Sequence, residues 1–123
     1  KEKDFQMGGY QSKVDTIVWS PDSTEFIING AEDVHIWDFS DGPPFGKSPK
    51  ILTCGYGKII DIVYDGNLLI AVSEEGMIFY FLPHKSNEFI NIKAIDAEIT
   101  CLSSAGMGRN AYVGSKSGDV YCF

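Results

Sequence analysis

Short apolar runs separated by turn residues dominate the hydrophobic pattern of this chain. The clearest example covers residues 14–39, where three runs are joined by two tight turns. The first run, 14–19, is apolar on both alternating faces, which is typical of a strand packed between two layers. Ser20-Pro21-Asp22-Ser23 predicts a turn, because proline fixes φ at the second position and Asp and Ser bond back to the backbone. The runs 25–29 and 34–39 predict the second and third strands.

The same alternation of runs and turns continues through the rest of the sequence. Asp65-Gly66 between two apolar runs is a strong hairpin signal. The loop 40–50 contains Pro43, Pro44 and Pro49, so it cannot be helix or ladder throughout. No segment shows a period of 3.6 residues, and the pattern therefore predicts an all-β fold with essentially no helix. The further predicted elements are a short edge strand at 1–7, strands at 51–54, 59–64, 67–72, 77–82, 88–93, 99–103, 111–114 and 119–123, and a glycine-rich turn at 105–110.

The chain repeats itself at an interval slightly above 40 residues. The third strand of each copy ends on an aromatic residue, at Trp37, Phe81 and Phe123. Residues 76–81, GMIFYF, align position by position with residues 118–123, GDVYCF. A period near 40 with four short strands per unit is the sequence signature of a β-propeller blade.

The first copy resembles a WD repeat in its most specific residues. Ser20-Pro21-Asp22 follows the first strand, and Trp37-Asp38 ends the third. The second copy ends on Tyr80-Phe81 instead, and the last repeat is also similar to quinoprotein-type propeller repeats. The chain is thus similar to the WD-repeat β-propeller family over nearly its whole length. Cys54-Gly55 stands where the family has a Gly-His pair, so we expect packing, rather than the usual His–Asp–Ser–Trp network, to hold the blades together.

The resemblance implies one domain over residues 1–123, built from antiparallel four-stranded blades. The predicted blades cover about 1–40, 49–82 and 88–123, each with an outer strand followed by three inner strands. Propellers typically have four to eight blades. We therefore expect this chain to be part of a larger ring, or to self-associate through apolar blade faces that are left open.

Net charge indicates which partners are expected, and the cysteines indicate which compartment. The formal net charge of −7 disfavours direct binding of nucleic acid, because an acidic surface repels phosphate backbones. Cys54, Cys101 and Cys122 are widely spaced in strand-like contexts and form no CxxC pair, which predicts a reducing, cytoplasmic compartment. No apolar run has the length of a membrane span, so we expect no membrane partner.

The sequence contains no recognisable catalytic motif. His35 and His84 do not stand beside an acid and a serine in any known order. Four carboxylates near turns have no partner fixed by spacing, and we interpret them as turn formers and solvated charges: Asp61, Asp65, Asp96 and Glu98. We therefore predict no catalytic residue, no metal site and no cofactor, and expect that the protein is not an enzyme.

The loops that enter each first strand and the turns between second and third strands form one rim of a WD-type ring. The resemblance implies that partners bind there, with Tyr10 and Tyr56 in equivalent entry loops as aromatic anchors beside charge. The candidate partner-binding residues are Tyr10, Lys13, Tyr56, Lys58, Glu74, Glu75 and Lys116.

The predicted function is a non-catalytic protein–protein interaction scaffold, with other proteins or further blades of the same propeller as partners. Two alternatives stay open. One is a purely structural segment of a large assembly. The other is a portion of a propeller enzyme whose active-site residues lie on other blades.

Overall fold

Eleven β-strands form the regular structure of the computed structural model, which describes residues 6, 10, 12–44, 47–104 and 111–123. These residues include no helix, and accordingly no helix long and apolar enough to cross a membrane occurs among them. The strands are β1 (Thr16–Trp19), β2 (Glu25–Asn29), β3 (Asp33–Asp38), β4 (Lys50–Thr53), β5 (Ile59–Asp65), β6 (Leu68–Ser73), β7 (Met77–Phe81), β8 (Asn91–Ala94), β9 (Ile99–Ser104), β10 (Ala111–Ser115) and β11 (Val120–Cys122).

The strands form three antiparallel sheets in which each strand pairs with its neighbour in sequence. The first blade is β1-β2-β3-β4, the second is β5-β6-β7-β8, and the third is β9-β10-β11. The predicted all-β fold with propeller-type blades is confirmed. The predicted edge strand 1–7 and turn 105–110 fall, apart from Gln6, outside the described residues.

The sheets are offset by one strand from the sequence repeat. Strand β4 pairs with β3 through Val34 and Leu52, and β8 pairs with β7 through Phe79 and Ile92. In these two sheets the outer strand therefore comes after the three inner strands along the chain. The predicted repeat unit, in contrast, begins with its outer strand. The predicted strand 88–93 also begins later, at Asn91.

Two apolar cores join the three blades face to face. The first lies between the first and second blades, and its buried side chains include Ile27, Val34, Ile36, Leu52, Ile62, Leu69, Phe79 and Phe81. The second lies between the second and third blades, and consists of Ile70, Val72, Ile78, Ile99, Ala111 and Val113. Each fully buried side chain of this size contributes about 1.5–3 kcal/mol of transfer free energy. The second blade is therefore covered on both faces.

The outward faces of the first and third blades are open in the part of the chain that the structure describes. Ile17 is 59% exposed and Trp19 is 47% exposed on the first blade, while Val120 is 74% exposed on the third. Trp19 packs only partly, against Phe26 and Phe39, with ring centroids 5.4 Å away. The prediction that the run 14–19 is buried on both faces is wrong here, because no described sheet lies against its second face.

Polar contacts add to packing between the blades. The Asn29 side-chain amide donates to the carbonyl of Ile59 over 3.1 Å, from the first blade to the second. From the third blade, the Leu102 N–H donates to the Asp61 carboxylate over 3.0 Å. The Ser104 hydroxyl donates to Asp65 over 2.5 Å. The expectation that packing holds the blades was thus incomplete, since side chains outside the usual family network connect neighbouring sheets.

A bulge in β5 makes one of these contacts possible. The register of β5 against β6 shifts between Ile59 and Asp61, whereas the first sheet has no such shift. Residues two apart on a regular strand share a face, and one extra residue reverses that relation. Ile59 consequently packs in the first core while Asp61 bonds to the third blade. The unbroken ladders of the first blade agree with its closer match to the repeat signature.

Candidate partner-binding rim

The upper rim consists of the loops that enter β1, β5 and β9 and of the turns β2–β3, β6–β7 and β10–β11. Antiparallel pairing places all of these at the same end of the strands. All seven candidate partner-binding residues lie in these loops and turns. The structure gives them different surroundings.

A backbone hydrogen bond joins the entry loop of each blade to the neighbouring part of the same blade. The Asp15 N–H donates to the Asn29 carbonyl over 2.8 Å in the first blade. The Glu74 N–H donates to the Lys58 carbonyl over 2.9 Å in the second blade. In the third blade the Lys116 N–H donates to the Glu98 carbonyl over 2.9 Å. The rim loops are therefore fixed to the blades rather than left to find a conformation on binding.

Glycine is required where the first entry loop touches the β2–β3 turn. Gly30 has φ of +147°, and a Cβ atom there would lie 2.0 Å from the carbonyl oxygen of Lys13. A real Cβ atom cannot approach a backbone oxygen so closely, so only a residue without one allows this contact.

An upper cleft of about 580 Å³ opens between the first and second blades at this rim. It brings together three of the seven candidate residues, and its polar lining is Ser12, Glu32, Asp33, Thr53, Lys58, Glu74 and Glu75. The Lys58 ammonium lies 3.1 Å from the Asp15 carboxylate, and the backbone N–H of Lys58 donates to the Glu74 carboxylate over 3.3 Å. One ammonium thus stands among four carboxylates in the lining, and the surface of the cleft is predominantly negative.

Lys13 and Lys116 lie at the margins of the rim rather than among the residues that line the cleft. The Lys13 side chain is 77% exposed, with its ammonium 3.7 Å from Asp15. Lys116 pairs weakly with Glu98 over 4.0 Å on the third blade. Exposed ion pairs of this kind contribute little to stability, so both ammonium groups are accessible to a partner.

Tyr10 is held by the first blade through both its hydroxyl and its ring. The hydroxyl donates to the Asp33 carbonyl over 2.7 Å and accepts the Ala31 N–H over 2.9 Å. The ring lies edge-on to His35 with centroids 4.7 Å apart. Burial raises the pKa of Tyr10, and the nearby Asp33 charge acts in the same direction. Tyr10 therefore shapes the β2–β3 turn and exposes only part of its ring.

Tyr56 is the aromatic side chain of this rim that is free for a partner. It is 47% exposed, and its ring centroid is 5.9 Å from that of Phe79. Its chain neighbours Gly55 and Gly57 both line the upper cleft. The equivalent positions of Tyr10 and Tyr56 in the repeat thus have different roles in the structure.

One rim residue escaped the sequence analysis. The Asp15 carboxylate forms ion pairs with the ammonium groups of Lys13 and Lys58. It therefore connects the entry loops of two blades. In the sequence it is a single polar residue in an apolar run. Nothing in its local pattern indicates that a lysine from the next repeat lies 3.1 Å away.

Thiols and carboxylates occur at several places in the described ranges, and burial raises the pKa of two of them. No three His, Cys, Asp or Glu side chains there are grouped so as to hold a metal ion. Burial raises the pKa of Cys54 to about 12, with the Asp33 charge adding to the effect, so this thiol stays protonated at neutral pH. Burial also raises the pKa of Asp61, opposed by the hydrogen bonds from Leu102 and Ile62.

Solved structures share this arrangement of blades. The WD40 domain of coronin from Toxoplasma gondii superposes with a TM-score of 0.81 at 15% identity, over 93% of this chain and 31% of that chain. A chain in the crystal structure of the Mitotic Checkpoint Complex superposes with a TM-score of 0.78 at 16% identity, over 94% of this chain and 35% of that one. The present chain thus spans about a third of the length of the solved chains it matches.

The sequence itself matches no protein-family model and no curated protein. The structural likeness, at these identities, bears on the fold alone. It agrees with the sheet topology and with the sequence resemblance to WD repeats. The chain has the fold of three blades of a WD-repeat β-propeller.

Proposed function

We propose that this chain is a non-catalytic protein-interaction scaffold that binds its partner through the upper rim. The observation that carries the proposal is the exposed ring of Tyr56 beside a cleft lined by Lys58, Glu74 and Glu75. Interface hot spots are enriched in tyrosine and are commonly surrounded by polar residues that exclude water. The rim offers this combination of an aromatic anchor and charged neighbours.

The rigidity of the rim supports the same proposal. Each entry loop is bonded to its own blade, and Asp15 joins two entry loops through Lys13 and Lys58. A preorganised surface loses less conformational entropy on binding than a mobile one. The blades would serve to hold the rim loops in one relative position, and no chemical reaction is involved.

The experiment is a comparison of partners captured by the wild-type chain and by Tyr56→Ala. Loss of a central aromatic anchor costs about 2 kcal/mol or more, so we expect the affinity for the captured partner to fall at least about 30-fold. The matched control is Ile90→Ala, which removes another exposed apolar side chain, 54% exposed, after β7 at the other end of the blades. Equal capture by Tyr56→Ala and wild type would refute the rim as the binding surface.

The open faces of the outer blades favour a second candidate, a structural segment that packs against further blades or against another copy of the chain. Ile17, Trp19 and Val120 are the exposed apolar residues that support it. Burying such faces is a favourable process that needs no dedicated ligand. A molecular mass that rises with protein concentration would support this candidate, and a constant monomer mass would count against it.

A cytoplasmic location remains a prediction from the sequence.

A further inference from the structure

A second cleft lies at the lower end of the blades, opposite the upper rim. It has a volume of about 400 Å³ and is bounded by the β1–β2 turn, the β5–β6 turn and the segment that follows β7. This lower cleft therefore lies between the first and second blades, as the upper cleft does, but shares no residue with it.

The walls of the lower cleft combine an aromatic ring with prolines and carboxylates. Tyr64 lies in one wall and is half-buried, and Pro21 and Pro83 contribute apolar surface. The polar part of the lining comprises the carboxylates of Asp22 and Glu25 together with Ser20, Thr24, Asn67 and His84. Burial, and after it the charges of Glu25 and Asp22, raise the pKa of Tyr64. Both carboxylates are therefore close enough to the phenol to act on it electrostatically.

Asp22 is held in its charged form by the turn that it occupies. Its Oδ1 atom accepts hydrogen bonds from the Ser20 hydroxyl over 2.8 Å, the Thr24 hydroxyl over 2.7 Å and the Thr24 N–H over 3.1 Å. The hydrogen bonds from Thr24 and Ser20 lower the pKa of Asp22. The carboxylate is thus ionised and fixed in position at neutral pH.

These carboxylates lack a cationic partner within the described part of the chain. Neither Asp22 nor Glu25 takes part in an ion pair there. The lysine that approaches from β4, Lys50, donates its ammonium to the Pro83 carbonyl instead. The lower cleft therefore contains an aromatic surface and two carboxylates outside any ion pair of the described residues, and the His84 imidazole also belongs to its lining.

We propose that the lower cleft binds the arginine side chain of a basic peptide segment from a protein partner. A guanidinium group is planar and weakly hydrated, so it can stack on the ring of Tyr64 while its N–H groups donate to Asp22 and Glu25. The charge of the chain, −7 overall, attracts a basic segment toward this surface. The apolar walls formed by the prolines suit the aliphatic part of the arginine side chain.

Other ligand classes fit the lower cleft less well. An anionic ligand would be repelled by both carboxylates. An apolar peptide would cover the carboxylates without supplying a partner, and desolvation of unpaired charges is costly. A lysine side chain supplies the charge but has no planar group to stack on the ring of Tyr64. This inference does not depend on the function proposed for the upper rim, because different residues form the two surfaces.

The test is a titration of the full ¹⁵N-labelled chain with the peptide acetyl-Gly-Arg-Gly-amide, followed by amide chemical shifts. We expect the largest shifts at Thr24, Glu25 and Asn67, which line the lower cleft. The same peptide with citrulline in place of arginine is isosteric and uncharged, and should cause no comparable shifts. Glu25→Gln should weaken binding of the arginine peptide about tenfold, since hydrogen bonds to charged groups contribute most to such contacts.

A control variant separates the local effect from overall charge. Glu98→Gln makes the same change in net charge on the upper rim, and should leave the affinity unchanged. Asp22→Asn retains the acceptor that the turn needs, and should weaken binding even if Glu25→Gln fails to fold. Equal shifts with the citrulline peptide, equal binding of a lysine peptide, shifts centred on Glu74 and Glu75, or unchanged affinity in both cleft variants would each overturn the proposal.

Discussion

Two tryptophans of the first blade differ strongly in burial although they lie on the same face of its sheet. Trp37 pairs with Phe26 across β3 and β2, and Phe26 in turn pairs with Trp19 on β1. Trp37 is 7% exposed, whereas Trp19 is 47% exposed. The two residues therefore provide an internal comparison of a buried and a half-exposed ring with the same chemistry.

We expect Trp37→Ala to lower the free energy of unfolding by about 3–5 kcal/mol, because a large buried ring is lost and a cavity remains. Trp19→Ala should cost less, about 1–2 kcal/mol, since much of its surface is already in water. Urea denaturation of the two variants and wild type measures both values. A loss below about 1 kcal/mol for Trp37→Ala would mean that the assignment of this strand to a packed blade is wrong.

At the scale of elements, the β6–β7 turn of the second blade packs against the loop that leads from β8 into the third blade. The Ile95 N–H in the entry loop of the third blade donates to the Gly76 carbonyl over 2.9 Å. Gly76 has φ of +89°, and a Cβ atom there would lie 2.4 Å from the carbonyl oxygen of Ile95. The β6–β7 turn can therefore approach the loop that follows β8 only with a glycine at this position.

Gly76→Ala should destabilise the chain by more than its backbone conformation alone explains. The control is Gly118→Ala, because Gly118 also has a positive φ, +95°, but a Cβ atom there would meet nothing within 4 Å. The control should cost about 1 kcal/mol, and Gly76→Ala at least about 1 kcal/mol more. Thermal or urea unfolding measures both variants. Equal losses would show that the loop of the third blade does not pack against Gly76.

The strands themselves were largely predictable from the sequence, since each is a short apolar run between turn residues. Strand β2 has the predicted bounds, 25–29. The pairing of β4 with β3 was not predicted, because the repeat unit fixes the order of strands but not which sheet an outer strand joins. The bulge between Ile59 and Asp61 was also not predicted, because it depends on contacts that β5 makes with two different blades.

The site was less predictable than the fold. Lys58, Glu74 and Glu75 lie together, as expected from equivalent positions around one rim. Tyr10 and Tyr56 also occupy equivalent positions, yet only Tyr10 has its hydroxyl bonded to the β2–β3 turn. Such differences depend on contacts between distant segments, and a local pattern in one sequence does not contain them. The lower cleft was missed for the same reason, because its residues come from two blades.

At the scale of the whole molecule, the three blades stack in chain order and the second blade is the centre of the stack. Its strands contribute to both apolar cores, with Phe79 and Phe81 in the first and Ile70, Val72 and Ile78 in the second. The upper cleft and the lower cleft are both formed where the first and second blades meet. The geometry of both candidate binding surfaces therefore depends on this stacking.

Amide hydrogen exchange of the wild-type chain tests the stacking most directly, because amides in a covered, fully paired sheet exchange only after large opening events. We predict that the slowest-exchanging amides belong to β6 and β7, the central strands of the blade that is covered on both faces. The amides of β1 and β11, at the open ends of the stack, should exchange faster. Amides of β6 and β7 that exchange as fast as those of β1 would contradict the three-blade arrangement.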